Sequence, residues 1–339
     1  MSQVFEVFSK EYAEKQLLAF HDSGFEQASH YWNFGYEQLT QAVPTLREGL
    51  FHIFAPENVG KSQAVLNIGY GALTNDEDVY WLDFSLDDGE EDRLSYLMAR
   101  AGKITINLAK QAAEATPEEK QQRHEAIKEF YQTYGERYRL FSDSSRSDDD
   151  EDEPEGFQYT IEWITRIVGW ARDEIGPEKK LLVTIDSFHD VGLQARHADE
   201  MDRLSQLSVA FKKSSKQSDC LYLFSTQTRK DSRKRNVTPD ALLGCARILF
   251  DARVMVYAYS DVNLNQNKAS VFWVDQDKPT ELQPVLELHF KKNKAGSFKG
   301  VALLEHERDT ATLREPDAGT RAYYQQCLYA SDKKKKAKE

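Results

Sequence analysis

The 339-residue chain lacks the marks of several specialised protein classes. It has three cysteines, Cys220, Cys245 and Cys327, which are far apart and form no metal-ligand spacing. They read as reduced thiols of an intracellular protein, and no zinc site is expected. No apolar run approaches the roughly 20 residues that a membrane span requires. The opening stretch MSQVFEVFSKEY has no basic region followed by an apolar core, which excludes a secretory signal. Positive charge is also scarce: 44 Lys and Arg stand against 56 Asp and Glu, a net charge of −12. A generic polyanion binder is thereby excluded, and any nucleic-acid contact has to come from local basic patches. No internal repeat of 20 to 50 residues is visible. Nor is there a linker long enough to demand a second domain. These absences predict a soluble, cytoplasmic protein with no membrane partner.

What is present supports a substantial core, with 40% hydrophobic and 12% aromatic residues. The stretch from Phe51 to Leu73 organises the rest. Phe51, Ile53 and Phe54 supply an apolar strand, the loop Ala55-Pro56-Glu57-Asn58-Val59-Gly60-Lys61-Ser62 follows, and Ala64, Val65, Ile68 and Ala72 recur at helical spacing after Gln63. This is a phosphate-binding loop with Ala55 where the first glycine usually stands. Backbone N–H groups of the loop and the helix start converge on one spot, where the helix dipole also favours an anion. Lys61 there neutralises β/γ-phosphate charge and the Ser62 hydroxyl ligates magnesium, so ATP and Mg2+ are the expected ligands, held by residues 56 to 63. Downstream, KLLVTID is an apolar strand closing on Asp186, the carboxylate expected to complete the metal site.

Strand and helix alternate along the middle of the chain. Residues 3 to 22 predict an amphipathic helix, and residues 29 to 50 short strands or turns feeding the phosphate-loop strand. Asp78 to Leu86 form an apolar run ending in Asp87-Asp88-Gly89, followed by a helix over Glu90 to Met98. Residues 104 to 136 are helix-prone and broken at Thr116-Pro117, and Tyr138 to Ser142 form a short strand. SRSDDDEDEPE, 145 to 155, is a solvated acidic loop. Helices over 159 to 171 and 201 to 211 flank the Asp186 strand, and DCLYLF, 219 to 224, is the next strand. Two more strands lie at 252 to 259 and 287 to 290, the latter pairing with Val301 to Leu304 as a hairpin. This order predicts an α/β fold with a mainly parallel central sheet and helices on both faces. The division expected is an amino-terminal helix and linker, 1 to 28, an ATPase domain, 29 to 325, and a basic disordered tail, 326 to 339. Arg229, Lys230, Arg233, Lys234 and Arg235 form a dense basic cluster leaving the same sheet edge as the phosphate loop, which predicts contact with a nucleic-acid backbone.

The order of these motifs resembles the RecA-type motor domain of the DnaB-like hexameric replicative helicases, phage members included, from about Phe34 to Leu304. APENVGKS resembles that family's phosphate loop, FSLDD its FSLE segment, LLVTIDSF its magnesium strand and STQTR the strand end that senses γ-phosphate. LLGCARILFDARVMVYAYSD resembles RGSGAIEQDADVVLFLYRD, matching Gly244, Ile248, Asp251 and Ala252. The resemblance implies a RecA-like P-loop ATPase in a hexameric ring on single-stranded DNA, with a primase or loader as partner. It implies that Asp87 activates the attacking water and Gln227 reads the γ-phosphate. Lys292 and Lys294 fall where the family carries an arginine finger acting across the subunit interface. Two departures stand out. Asp87 is one methylene shorter than the family's Glu, and lysine lacks the planar fork of arginine. These leave open a filament-forming recombinase, annealing factor or loader, and an ATP-gated scaffold with slow hydrolysis.

Overall fold

Three apolar runs without polar alternation become strands buried along their whole length: β1 (Gly49–Ala55), β5 (Lys180–Asp186) and β8 (Val254–Ser260). Such runs need a covering layer on each face of a parallel sheet. The computed structural model describes residues 10, 14–18, 21, 31–142, 159–228, 234, 235, 237, 238 and 246–336, with the backbone alone over 331–336. Within these, β2 (Val79–Ser85), β3 (Tyr138–Phe141) and β7 (Cys220–Gln227) complete a parallel array in the order β8-β1-β7-β5-β2-β3. An antiparallel extension continues beyond β8 through β10 (Leu282–Asn293), β11 (Val301–Glu307) and β12 (Thr312–Arg314), and β9 (Phe272–Val274) pairs with the start of β10. The hairpin expected between 287–290 and 301–304 is the β10–β11 pair, and β4 (Tyr159–Thr160) and β6 (Val191–Gly192) pair with each other apart from this sheet.

Alternation along the strands divides the core. Phe51, Ile53 and Ala55 face one layer, where they meet Ala64, Val65 and Ile68 of α2 (Lys61–Asn75) and Leu97 of α3 (Glu90–Gly102). Leu50 and Phe54 face the other, against Ile164 and Val168 of α6 (Ile161–Ile175) and Leu204, Leu207 and Phe211 of α7 (Glu200–Gln217). The α/β class with helices on both faces is therefore observed. Helix α2 approaches the preceding chain closely: a Cβ on Gly71 would lie 2.0 Å from the Phe34 carbonyl oxygen, so only glycine fits there.

Several local expectations are corrected. Residues 37–42, expected in strands or turns, form helix α1 (Glu37–Ala42), because Leu39 and Ala42 stand three apart and are buried together. The break expected at Thr116-Pro117 is observed, and the same pair also opens the next helix. After the short α4 (Ile106–Lys110), Thr116 and Glu119 form a reciprocal capping box at the head of α5 (Pro117–Tyr134), with Pro117 in its first turn. The tail expected to be disordered from 326 onward is instead helical to Lys336, in α10 (Ala318–Lys336), whose Tyr324 is buried against Val271, Val285 and Leu303. Of the amphipathic helix expected over 3–22, the described residues are helical and Leu17 and Leu18 are exposed. The acidic loop lies outside the described residues.

Strand β1 also carries a buried imidazole. His52 has no exposed surface, lies 3.0 Å from the Thr226 hydroxyl through Nδ1 and stacks on Phe224 at 4.6 Å. Burial, reinforced by His189 and Lys292, lowers its pKa from 6.5 to about 3, and burial lowers that of His306 to about 4. Both are neutral in the folded chain and free to protonate once unfolded. Their contribution to stability is thus complete above pH 6.5 and is lost progressively as the pH falls toward 3. Urea unfolding across that range is expected to show a decline of a few kcal/mol, and His52→Phe, which keeps the ring stack, to flatten it. An unchanged slope would assign the acid lability to other groups.

Candidate active site

Four neighbouring strands, β1, β7, β5 and β2, end at one edge of the sheet, and the candidate site lies across their carboxyl ends. β1 runs out at Ala55 into a loop that turns through Asn58 (φ 61°) and Gly60 (φ 107°) before α2 begins at Lys61. The Gly60 conformation is one that side-chain-bearing residues rarely adopt, and it aims the first turn of α2 back over the strand ends. Lys61 Nζ donates to the Pro56 carbonyl at 3.0 Å, folding the side chain along the loop. Val59 is fully buried, so it anchors the loop in the core through its side chain, and its carbonyl accepts from Asn263 Nδ2 at 3.3 Å.

At the end of β5, Asp186 is 2% exposed. Its backbone carbonyl accepts the N–H groups of Leu86 at 2.6 Å and Asp87 at 3.1 Å, which fixes the turn after β2 against β5 and brings Asp87 to the pocket. The Ser225 hydroxyl, from β7, donates to Asp186 Oδ1. Gln227 ends β7, its backbone N–H directed at His189 Nδ1. The resulting pocket, about 260 Å³, brings together Glu57, Asn58, Gly60, Lys61, Ser62, Gln63, Asp87, Asp186 and Gln227, which were all expected from sequence. It adds Asp88, Tyr96, Ser187 and Ser225, which were not.

The electrostatics suit an anion beside a cation. Burial lowers the pKa of the Lys61 ammonium, opposed by Asp186, Asp87 and Glu57, so the side chain is a poorly solvated positive charge facing three carboxylates. The Asp87 pKa is raised from its ordinary value by partial burial and then by Asp190 and Asp186, with Lys61 opposing. Asp88 is raised too, by burial and then by Asp186. A polyphosphate would gain the Lys61 charge and the amides of the α2 start. The Ser62 hydroxyl and Asp186 carboxylate are hard oxygen donors of the kind magnesium takes, and they line the same pocket.

No protein-family model and no curated protein matches the sequence. Solved structures do match the fold. The ATPase domain of a phage helicase aligns with a TM-score of 0.73 at 15% identity, covering 90% of this chain and 98% of that one. A DnaB-like replicative helicase, described with its interactions with primase, aligns with a TM-score of 0.70 at 15% identity, covering 90% of this chain and 67% of that one. The chain has the fold of a DnaB-like helicase ATPase domain.

Within this DnaB-like fold the basic cluster divides. Arg229, Lys230 and Arg233 lie outside the described residues, and Lys234 is exposed. Arg235 corrects the expectation of a nucleic-acid contact. It is 4% exposed, its Nε bonds both Glu287 oxygens at 2.9 and 3.1 Å, and its Nη2 is 2.8 Å from Asp261 Oδ2. A guanidinium enclosed by two carboxylates has no charge to offer a phosphate backbone. The two lysines divide as well. Lys292 Nζ donates to the carbonyls of Leu249 and, at 3.1 Å, Phe250, in the last turn of α8 (Ala246–Asp251), so it caps a helix of its own chain. This corrects its expected part in an interface. Lys294 is exposed, its backbone N–H held by the Arg253 carbonyl at 2.9 Å.

The burial of Arg235 has a measurable consequence. Arg235→Met leaves Glu287 and Asp261 as uncompensated charges, and is expected to cost about 3–5 kcal/mol in denaturant unfolding. Lys234→Ala is expected to change stability by less than about 0.5 kcal/mol. Equal, small effects would return Arg235 to the surface.

Proposed function

We propose that this chain is an ATP-dependent DNA helicase or translocase of the DnaB-like kind, working as a hexameric ring on single-stranded DNA. The observation that supports this reading is the convergence of Lys61, Ser62, Asp87, Asp186 and Gln227, from four adjacent strand ends, on one pocket. Lys61 and the amides at the start of α2 bind the phosphates of ATP. Ser62 and Asp186 are the residues that would hold magnesium, which when bound offsets charge on the β- and γ-phosphates. Asp87, with its raised proton affinity, takes the proton of the attacking water, and Gln227 reads the γ-phosphate. The basic segment from Arg229 to Lys234 contacts the DNA backbone. A primase is the partner that the DnaB-like neighbour brings to this reading, and a loader is the alternative. Among the described residues no helix is long and apolar enough to cross a membrane.

A second reading, an ATP-gated switch with slow turnover, draws on two observations. Asp87 is a short carboxylate, and Lys292 is tied to α8, leaving Lys294 as the one lysine of the pair directed to solvent. Steady-state hydrolysis with single-stranded DNA separates the two readings, a motor turning over continuously and a switch stalling.

Lys61→Ala is expected to reduce hydrolysis by about 100-fold or more while the protein stays folded, since it removes a half-buried positive charge from the phosphates. Wild-type turnover in a folded variant would refute the nucleotide site.

The register across the sheet also bears on assembly. Asn293 pairs with Val254, and Val254 with Phe51, four residues and about 13 Å before the end of β1. Lys294 therefore lies near the edge opposite its own phosphate loop, which supports the reading that it serves a neighbour's site. Mixing Lys61→Ala with Lys294→Ala subunits is expected to restore turnover above both parents, because some interfaces combine an intact loop with an intact lysine. Turnover equal to the weighted average of the parents at every ratio would remove Lys294 from the site.

A further inference from the structure

Beneath the pocket floor a second charge system takes no part in the chemistry proposed above. Asp83 sits in the interior of β2 with no exposed surface, an ionisable group in an otherwise apolar strand. Arg93, 1% exposed and within α3, grips it in two-pronged fashion, Nε to Oδ2 at 2.8 Å and Nη2 to Oδ1 at 2.7 Å. Thr184 Oγ1 donates to Asp83 Oδ1 at 2.6 Å and Tyr138 Oη to Oδ2 at 3.2 Å, so each carboxylate oxygen accepts two hydrogen bonds. Trp81 Nε1 holds the Thr184 hydroxyl at 2.7 Å. A guanidinium is planar and rigid, and pairing two of its edges to a fixed carboxylate sets the direction of the third. That third group, Nη1, points upward into the candidate site. It lies 3.4 Å from Asp186 Oδ2 and 3.5 Å from the Ser62 carbonyl.

We propose that Arg93 is a positioning residue that sets Ser62 and Asp186, one from the phosphate-loop helix and one from β5, in the mutual register needed to bind magnesium with ATP. The inference rests on the ATP-binding reading of the same pocket. Ser62 and Asp186 come from different elements, and both touch this one guanidinium. Ser225 holds Asp186 Oδ1 and Arg93 holds Oδ2, so the carboxylate is fixed at both oxygens, each keeping lone-pair capacity toward the pocket. Outer-shell partners of this kind typically change metal affinity by about 10- to 100-fold when removed.

A purely structural role, neutralising Asp83, makes a different forecast, and two variants separate them. Asp83→Leu with Arg93→Met removes both buried charges together, so the core loses its pair without stranding either member. Arg93→Lys keeps the charge but offers one ammonium where the guanidinium reaches three acceptors. Binding of a fluorescent ATP analogue is measured in EDTA and across a magnesium titration, alongside thermal melting. Positioning by Arg93 predicts, in each folded variant, unchanged nucleotide affinity in EDTA and a magnesium midpoint raised about 10-fold. A wild-type or lower midpoint in the folded double variant would reduce Arg93 to a counter-charge and overturn the proposal. Loss of the fold in both variants would also overturn it, since Arg93 would then be a brace of the core alone. If the wild-type protein bound no nucleotide under any condition, the ATPase reading itself would fail, an outcome distinct from an unshifted midpoint.

Discussion

The candidate site is hung on the last residue of β5. The Asp186 carbonyl accepts two backbone N–H groups from the turn after β2, and its carboxylate accepts from Ser225 of β7 and Arg93 of α3. Through this one residue three elements are set against each other at the mouth of the phosphate loop. The carbonyl contacts are the more consequential, because they need only the backbone at 86 and 87 and so fix where the Asp87 side chain starts from whatever its length. In the proposed chemistry an aspartate serves there by starting from a turn held close to β5. Its carboxylate, although exposed, is then desolvated enough on its pocket side, and close enough to Asp190 and Asp186, for its proton affinity to rise.

The buried ions follow one pattern on both faces of the sheet. Arg93 meets Asp83 and Asp186 on the face covered by α2 and α3. Arg235 meets Glu287 of β10 and Asp261 on the other. A desolvated guanidinium survives only among carboxylates, and in each case burial alone would lower its pKa while the neighbouring carboxylates hold it above the ordinary value. Such pairs contribute little net stability, yet breaking one is costly, so they act mainly as locators. Arg235 fixes its own point of the chain to β10. Through Asp261 it also reaches α9 (Asp261–Asn265), whose Asn263 touches the phosphate loop at Val59. Arg235 and the loop proposed to contact ATP are thus both tied to one short helix.

The parts of the fold that could be read from sequence were those governed by local pattern. Apolar runs at 51–54, 180–185 and 254–259 had to be buried strands, and an apolar strand followed by Gly-Lys-Ser and an amphipathic helix left little freedom for the loop between. The misreadings arose where the outcome depended on distant partners. Arg235 stands in a run of cations, and nothing nearby in sequence marks it as different; Glu287 and Asp261, which bury it, are 52 and 26 positions away. Arg93 was invisible for the same reason, although Asp83 was a usable signal: a carboxylate inside an apolar strand needs a buried donor. Thr116-Pro117 was legible as a break for a local reason, since proline interrupts a helix interior but suits the first turn of a new one, whose cap Glu119 completes.

The two lysines at the end of β10 show how position in a sheet, more than residue type, limits function. They are two apart in sequence, yet Lys292 closes the carboxyl end of α8, at Phe250, while Lys294 stands in solvent. Because β10 runs antiparallel to β8, its carboxyl end lies toward the starts of the parallel strands, and the phosphate loop lies at their finish. No rotamer of Lys294 spans that separation within one chain, since a lysine side chain extends only about 6 Å from its backbone. If Lys294 acts on a phosphate, the phosphate belongs to a second copy. Sheet topology alone therefore makes the hydrolytic role proposed for this lysine inseparable from assembly.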